Sequence, residues 1–335
     1  MMPVSMVGRA AELAELVRCW TRVAAGGTVP TRTAVITSPA GLGKSLLVAQ
    51  ALDAFGPRPG TVLSGTARVH TPAPYDWLAA VLTGSDTSTL PVPPDALAWL
   101  AQHPEAPTER YTPGALLRLA VRTVRALVGC GPAVLVVEDL HALDPASLNL
   151  VGELSAVPDL PVLMLVTSRP PDAAVSPHLV ARTLARLSGA PGTIRQHLAP
   201  LTAADVAAVL AEIYPAPVPQ AVAHDVWQRT GGNPYWLTEL LAATGRRGSE
   251  ALTRTPLPGH LRLATAELTA REIEVLGCLA AGMSNKQVAR SLGISIRTVT
   301  VHVSNLLRKT GSASRTEAAV WAVRHRLGAP MEPAS

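Results

Sequence analysis

The chain has 335 residues, enough for two or three domains, and its 48% hydrophobic content supports packed cores although only 3% is aromatic. Basic charge is uneven: residues 265–330 hold nine Lys and Arg against four Asp and Glu, so a polyanion partner would meet the C-terminal end. Cys19, Cys130 and Cys278 fit neither a disulfide framework nor a metal spacing, the start lacks a charged-then-apolar leader, and apolar runs such as 133–137 are too short to span a bilayer, which together predict a cytoplasmic protein.

Val7-Gly8-Arg9 leads into an amphipathic stretch from Ala10 to Leu16. Thr33–Ser38 predicts a short buried strand, and Pro39-Ala-Gly41-Leu-Gly43-Lys44-Ser45 precedes an apolar helix over Leu46–Leu52. Strand, Gly-rich turn, Lys-Ser and helix form the phosphate-loop arrangement. Its glycines let backbone N–H groups converge on phosphate oxygens, and the helix N-terminus adds a positive dipole end. Lys44 is expected to reach the β- and γ-phosphates, and the Ser45 hydroxyl to coordinate Mg²⁺. The first Gly of the Gly-x-x-x-x-Gly-Lys-Ser pattern is replaced by Ser38, which is strained if that position needs a positive φ.

Thr61–Arg68 is a second strand candidate. Residues 84–114 are rich in Pro, Ser and Thr and predict a long irregular insertion. Ala133–Val137 is a buried strand ending in Glu138-Asp139, with His141 and Asp144 after it. Pro161–Arg169 is another, with Thr167 and Arg169 at the end where parallel sheets bind ligands. Thr193–Leu201 is a further strand candidate before a Thr202-capped helix, and Thr230-Gly-Gly-Asn-Pro234 opens another helix at its proline. Residues 246–265 read as a linker, which divides the chain into an α/β domain over 1–245 and a helical domain over 266–330.

The helical part announces each helix start. Thr269 with Glu272, Ser284 with Gln287 and Ser314 with Glu317 have the capping-box spacing, and Ser295 can cap alone. Gly282, Gly293 and Gly311 lie where helices should stop. Segments 284–292 and 295–309 fit a helix-turn-helix whose second helix enters a DNA major groove. Val299, Val303, Leu306 and Leu307 share its apolar face, leaving Thr300, Val301, Ser304, Asn305 and Arg308 free to meet bases. Lys286, Arg297, Thr298 and Lys309 sit at helix ends and are the phosphate-contact candidates.

Leu-Thr-x-Arg-Glu-Ile-Glu-Val-Leu (268–276), Gly-x-Ser-Asn-Lys (282–286), Arg-Thr-Val-x-x-His (297–302) and Ser-Arg-x-Glu-Ala (314–318) resemble the DNA-binding domain of LuxR-type transcription regulators. The N-terminal part resembles AAA-type and STAND-type ATPase domains. That resemblance implies a fold of α/β P-loop NTPase plus a four-helix helix-turn-helix domain. It implies Val7, Gly8 and Arg9 bordering the adenine, Pro234 packing near it, and Gly41, Gly43, Lys44 and Ser45 on the phosphates. Glu138 and Ser45 would hold Mg²⁺, Asp139 would polarise the attacking water, and Arg169 would sense the γ-phosphate. The implied partners are ATP·Mg²⁺, a near-palindromic duplex DNA site, RNA polymerase, and a second copy paired through the small-residue face of helix 314–327 (Ala318, Ala319, Ala322). The expected role is a transcription activator with ATP as switch ligand. A DNA-localised active ATPase, or a degenerate P-loop domain used for protein contacts, stay open beside it.

Overall fold

A computed structural model describes residues 7–26, 32–66, 73–87, 89–104, 106, 111–171, 174, 176–190, 192–245, 248–255, 268–310 and 314–324. The chain divides into two compact units, Met1–Thr238 with Gly248–Thr253, and Glu239–Arg247 with Arg254–Ser335.

The first unit is built on five strands: β1 (Arg32–Thr37), β2 (Thr61–Gly65), β3 (Ala133–Val137), β4 (Val162–Ser168) and β5 (Ile194–His197). They form one parallel sheet in the order β2-β3-β4-β1-β5. β3 and β4 are buried along their whole length, as expected of strands covered on both faces. Alternation sorts their side chains between two cores. Leu135, Val137, Met164 and Val166 join the core under α3 (Asp76–Thr83), α5 (Pro113–Val128), α6 (Pro145–Leu154) and α7 (Pro177–Gly189). Val134, Val136, Leu163 and Leu165 join the core under α1 (Ala10–Ala24) and α2 (Lys44–Ala54).

The expected irregular insertion contains a helix, α4 (Pro94–Leu100). Its Pro sits at the helix start, and Ala96 and Leu100 are fully buried. Tertiary burial therefore overrides the loop-like composition. Asp144 caps α6 and also accepts the N–H groups of Tyr75 (3.1 Å) and Asp76 (3.2 Å), which fixes the start of α3. Helices α8 (Ala203–Ile213), α9 (Gln220–Thr230) and α10 (Pro234–Thr244) follow the sheet. Within the expected linker, α11 (Ala251–Arg254) buries Leu252, whose carbonyl accepts from Arg229.

The second unit contains α12 (Ala270–Ala280), α13 (Asn285–Leu292), α14 (Ile296–Thr310) and α15 (Arg315–Arg324). Two of the three predicted capping boxes, at Thr269/Glu272 and Ser284/Gln287, are formed in full. Ser295 Oγ accepts from Thr298 N at 3.1 Å and Ser314 Oγ from Glu317 N at 3.2 Å. Gly293 ends α13 at φ 64, the left-handed turn that lets α14 start three residues later. Val275, Leu276, Val288, Val299 and Leu306 are the fully buried centre of this unit. Gly311, Ser312 and the helix end at 325–327 lie outside the described residues.

One expectation is corrected here. Ala318 and Ala322 are fully buried in this unit's own core, with Ala319 partly buried against it. Small side chains on that face let α15 pack closely within the unit, so the face is not free to pair with a second copy.

Candidate functional site

The C-terminal ends of β1, β3 and β4 converge on a cavity of about 360 Å³ lined by Ala40, Gly41, Gly43, Lys44, Ser45, Leu46, Asp139, Arg169, Pro234, Tyr235 and Thr238. Gly41 (φ 78) and Gly43 (φ 88) take the left-handed conformations that let the loop wrap it. Gly43 leaves α2 without a side-chain cap, so its first N–H groups remain available to an anion. Ser38, in contrast, is absent from the positive-φ residues, so the position does not require glycine. Serine there has a use. Lys44 Nζ donates to Ser38 O (3.0 Å), Ser38 Oγ (3.1 Å) and Pro39 O (3.0 Å). Burial lowers the Lys44 pKa, Asp139 opposes that, and Arg169 adds to it.

Ser45 Oγ donates to Glu138 Oε2 at 2.9 Å, which brings together the hydroxyl and carboxylate expected to share a metal. Among the described residues no cluster of three or more His, Cys, Asp or Glu could hold a metal alone. That donor set suits Mg²⁺, which keeps waters and takes few protein ligands beside phosphate oxygens. The longer Glu138 therefore reaches its partner.

Asp139 has a left-handed backbone (φ 50), and its N–H donates to Thr167 Oγ1 at 3.1 Å. Thr167 is 1% exposed and holds the turn that presents the half-exposed Asp139 carboxylate. His141 holds a position beside the site that the sequence alone does not reveal. It is buried, and its Nδ1 accepts the N–H of Arg169 at 3.3 Å and lies 3.8 Å from Asp139 Oδ1. Burial pushes its pKa down to about 4, Asp139 opposes this, and Arg169 and Lys44 reinforce it. A neutral ring thus ties the turn after β3 to the end of β4.

The Gly-Gly-Asn-Pro element closes the other wall. Asn233 Nδ2 donates to Ala40 O at 3.2 Å, and the Tyr235 N–H donates to Gly41 O at 3.2 Å. A Cβ on Gly41 would lie 2.7 Å from Asn233 Oδ1, so glycine is needed for this approach. Sequence reasoning singled out Pro234 only; Asn233, Tyr235 and Thr238 are additions. Val7, Gly8 and Arg9 sit outside the cavity lining. Arg9 donates to the Ala199 carbonyl, and Gly8 packs against the Asp205 carboxylate.

In the second unit, α14 buries Val299 and Leu306 and exposes Thr300, Val301 and Ser304, with Asn305 half-buried. Val301 is 54% exposed, and Ile296 at the start of the same helix is 51% exposed. Lys286, in the first turn of α13, and Thr298, in the first turn of α14, are exposed. The side chains of Arg297, Arg308 and Lys309 lie outside the described residues.

The first unit is a P-loop ATPase fold and the second a helix-turn-helix domain. Residues 5–166 match the AAA ATPase domain, and residues 266–322 match the bacterial regulatory proteins of the luxR family. The chain thus carries an AAA ATPase domain followed by a LuxR-family domain. The transcriptional regulatory protein LiaR of Bacillus subtilis is 40% identical over 78 residues, 23% of this chain and 37% of LiaR. The nitrate/nitrite response regulator protein NarL of Escherichia coli is 45% identical over 86 residues, 24% of this chain and 39% of NarL. The chain therefore spans little more than a third of the length of these relatives. The Aeropyrum pernix ORC1 protein, solved in complex with DNA, shares the fold with a TM-score of 0.59 at 16% identity, covering 92% of this chain and 85% of that one. No helix of the described residues is long and apolar enough to cross a membrane.

Proposed function

We propose that this chain is a cytoplasmic, DNA-binding transcription regulator, an activator that contacts RNA polymerase, with ATP as its switch ligand. The observation that carries it is the division of α14 into a buried apolar face and an exposed Thr300-Val301-Ser304 face. Such a face suits base edges and thymine methyls in a major groove, with Lys286, Arg297, Thr298 and Lys309 on phosphates. A near-palindromic site read by two copies stays part of the proposal, through a surface other than the Ala318 face.

Domain 1–245 supplies nucleotide binding, 246–265 the linker, and 266–330 the DNA reader. On ATP binding, Lys44 exchanges its three loop oxygens for phosphate oxygens. Ser45 and Glu138 hold Mg²⁺, which neutralises phosphate charge when bound. Asp139 accepts a proton from water in slow hydrolysis, Arg169 faces the γ-phosphate, and Val7, Gly8, Arg9 and Pro234 border the base. The Ser45–Glu138 bond and the non-strained Ser38 favour this over a degenerate, non-binding loop.

The test pairs two titrations. Calorimetry with ATP·Mg²⁺ should give one site per chain in wild type and none in Lys44→Ala. Duplex binding by Lys286→Ala should weaken for all sequences, with the salt slope reduced by about 1. Heatless titration of wild type, or an unchanged slope, removes the corresponding half of the proposal.

A further inference from the structure

A second cavity of about 260 Å³ lies at the opposite, N-terminal end of the strands. It is lined by Arg18 and Arg22 of α1, by Arg32 at the start of β1, and by Glu15, Cys19 and Ile194. Nothing in the nucleotide or DNA reading uses it. Three guanidiniums facing one small space repel one another, which costs stability unless something negative sits between them. Among the described residues none of the three is in a salt bridge. The cavity's one carboxylate, Glu15, already accepts from Gln196 Nε2 at 2.9 Å. Arg32 Nε is buried and has no hydrogen-bond partner, although a guanidinium N–H withheld from water ordinarily finds an acceptor.

The backbone beside Arg32 is shaped to its guanidinium. Gly192 has φ 77, and a Cβ there would lie 2.9 Å from Arg32 Nη1, so the backbone makes room for the guanidinium. At the floor, Cys19 is 3% exposed; burial raises its pKa, while the charges of Arg32 and Arg22 pull it down. The thiol stays protonated and serves as wall, not nucleophile.

We infer that this cavity is a second ligand site, which binds a compact anion carrying two or more negative charges, of the phosphate or pyrophosphate class. Arg32 supplies its buried Nε–H, and Arg18 and Arg22, exposed on one face of α1 a turn apart, close over the ligand from the solvent side. Guanidinium forks suit tetrahedral oxyanions in a way that an ammonium does not. The site is concave and small, so a free anion fits it better than a duplex backbone.

Calorimetric titration of the full chain with sodium pyrophosphate in dilute buffer tests this. The P-loop also binds pyrophosphate, so the titration is run on Lys44→Ala, where one site per chain should remain. Arg18→Ala/Arg22→Ala in that background should weaken it at least tenfold, and Arg32→Gln should do the same. The exposed α1 pair guards against a folding artefact, since ATP binding by Arg18→Ala/Arg22→Ala with Lys44 intact should match wild type. Loss of all pyrophosphate binding in Lys44→Ala alone, or an undiminished site in the double arginine variant, overturns the inference. So does a lowered salt slope for duplex binding in Arg18→Ala/Arg22→Ala, which would reassign these arginines to nucleic acid.

Discussion

Val299 and Val301 are two residues apart on α14, and the account assigns them opposite fates. Val299 is fully buried in the helical unit, while Val301 is 54% exposed. Val299→Ala removes two carbons from a packed core, a transfer loss of ~1.6 kcal/mol at ~0.8 per carbon. The residual cavity brings this to about 2–3 kcal/mol. A helical unit of about 60 residues has roughly 3–8 kcal/mol in total, and each kcal/mol moves its melting point by about 4–8 °C. The unit should therefore melt roughly 10–20 °C lower and lose DNA binding with its fold. Val301→Ala loses at most half the burial term and gains about 0.5 kcal/mol of helix propensity, so its melting point should hardly move. Its affinity for a preferred duplex should nevertheless fall about fivefold, as a lost apolar contact of about 1 kcal/mol predicts. Calorimetric melting and fluorescence anisotropy on the full chain read both. If Val301→Ala melts like Val299→Ala, or binds every duplex as wild type does, the face assignment is wrong.

Ala318→Leu should destabilise the helical unit by about 1–3 kcal/mol through overpacking, visible in urea unfolding; an intact fold with altered oligomeric state would restore the dimer-face reading. Ser38→Gly removes one of the three acceptors of Lys44 and should not increase ATP affinity; a clear gain would mean that serine is a defect of the loop. The buried His141 titrates at about 4 when folded against 6.5 ordinarily, so the unfolded chain binds the extra proton first. Its stabilising share is complete above pH 6.5 and should be lost as pH falls toward 4, and His141→Gln should flatten that part of a stability-against-pH curve. An unchanged curve would mean that His141 is not held neutral.

Where a feature is written in neighbouring residues, the sequence was enough. The phosphate loop, the acidic strand end and two complete capping boxes were all legible from spacing, because each needs particular residue types a few positions apart. What was hidden joins residues far apart in the chain. His141 meets Arg169 across 28 positions, Asp144 caps Tyr75 across 69, and Asn233 reaches Ala40 across 193. Helix α4 was hidden for a related reason: its Pro- and Ser-rich surroundings read as loop, while Ala96 and Leu100 are buried by partners elsewhere. The stripe of Ala318, Ala319 and Ala322 shows a third limit. Small residues at helical spacing announce close packing but not whether the partner is the same chain or another.

The central claim is that nucleotide state and DNA reading are linked in one molecule. Anisotropy titration of the full chain on a labelled duplex, with and without ATP·Mg²⁺, tests it most directly when repeated on Lys44→Ala. The account predicts salt-sensitive duplex binding whose affinity shifts with ATP in wild type and not in the variant. Equal affinity with and without ATP in the wild type, or no duplex binding in dilute buffer, would contradict it.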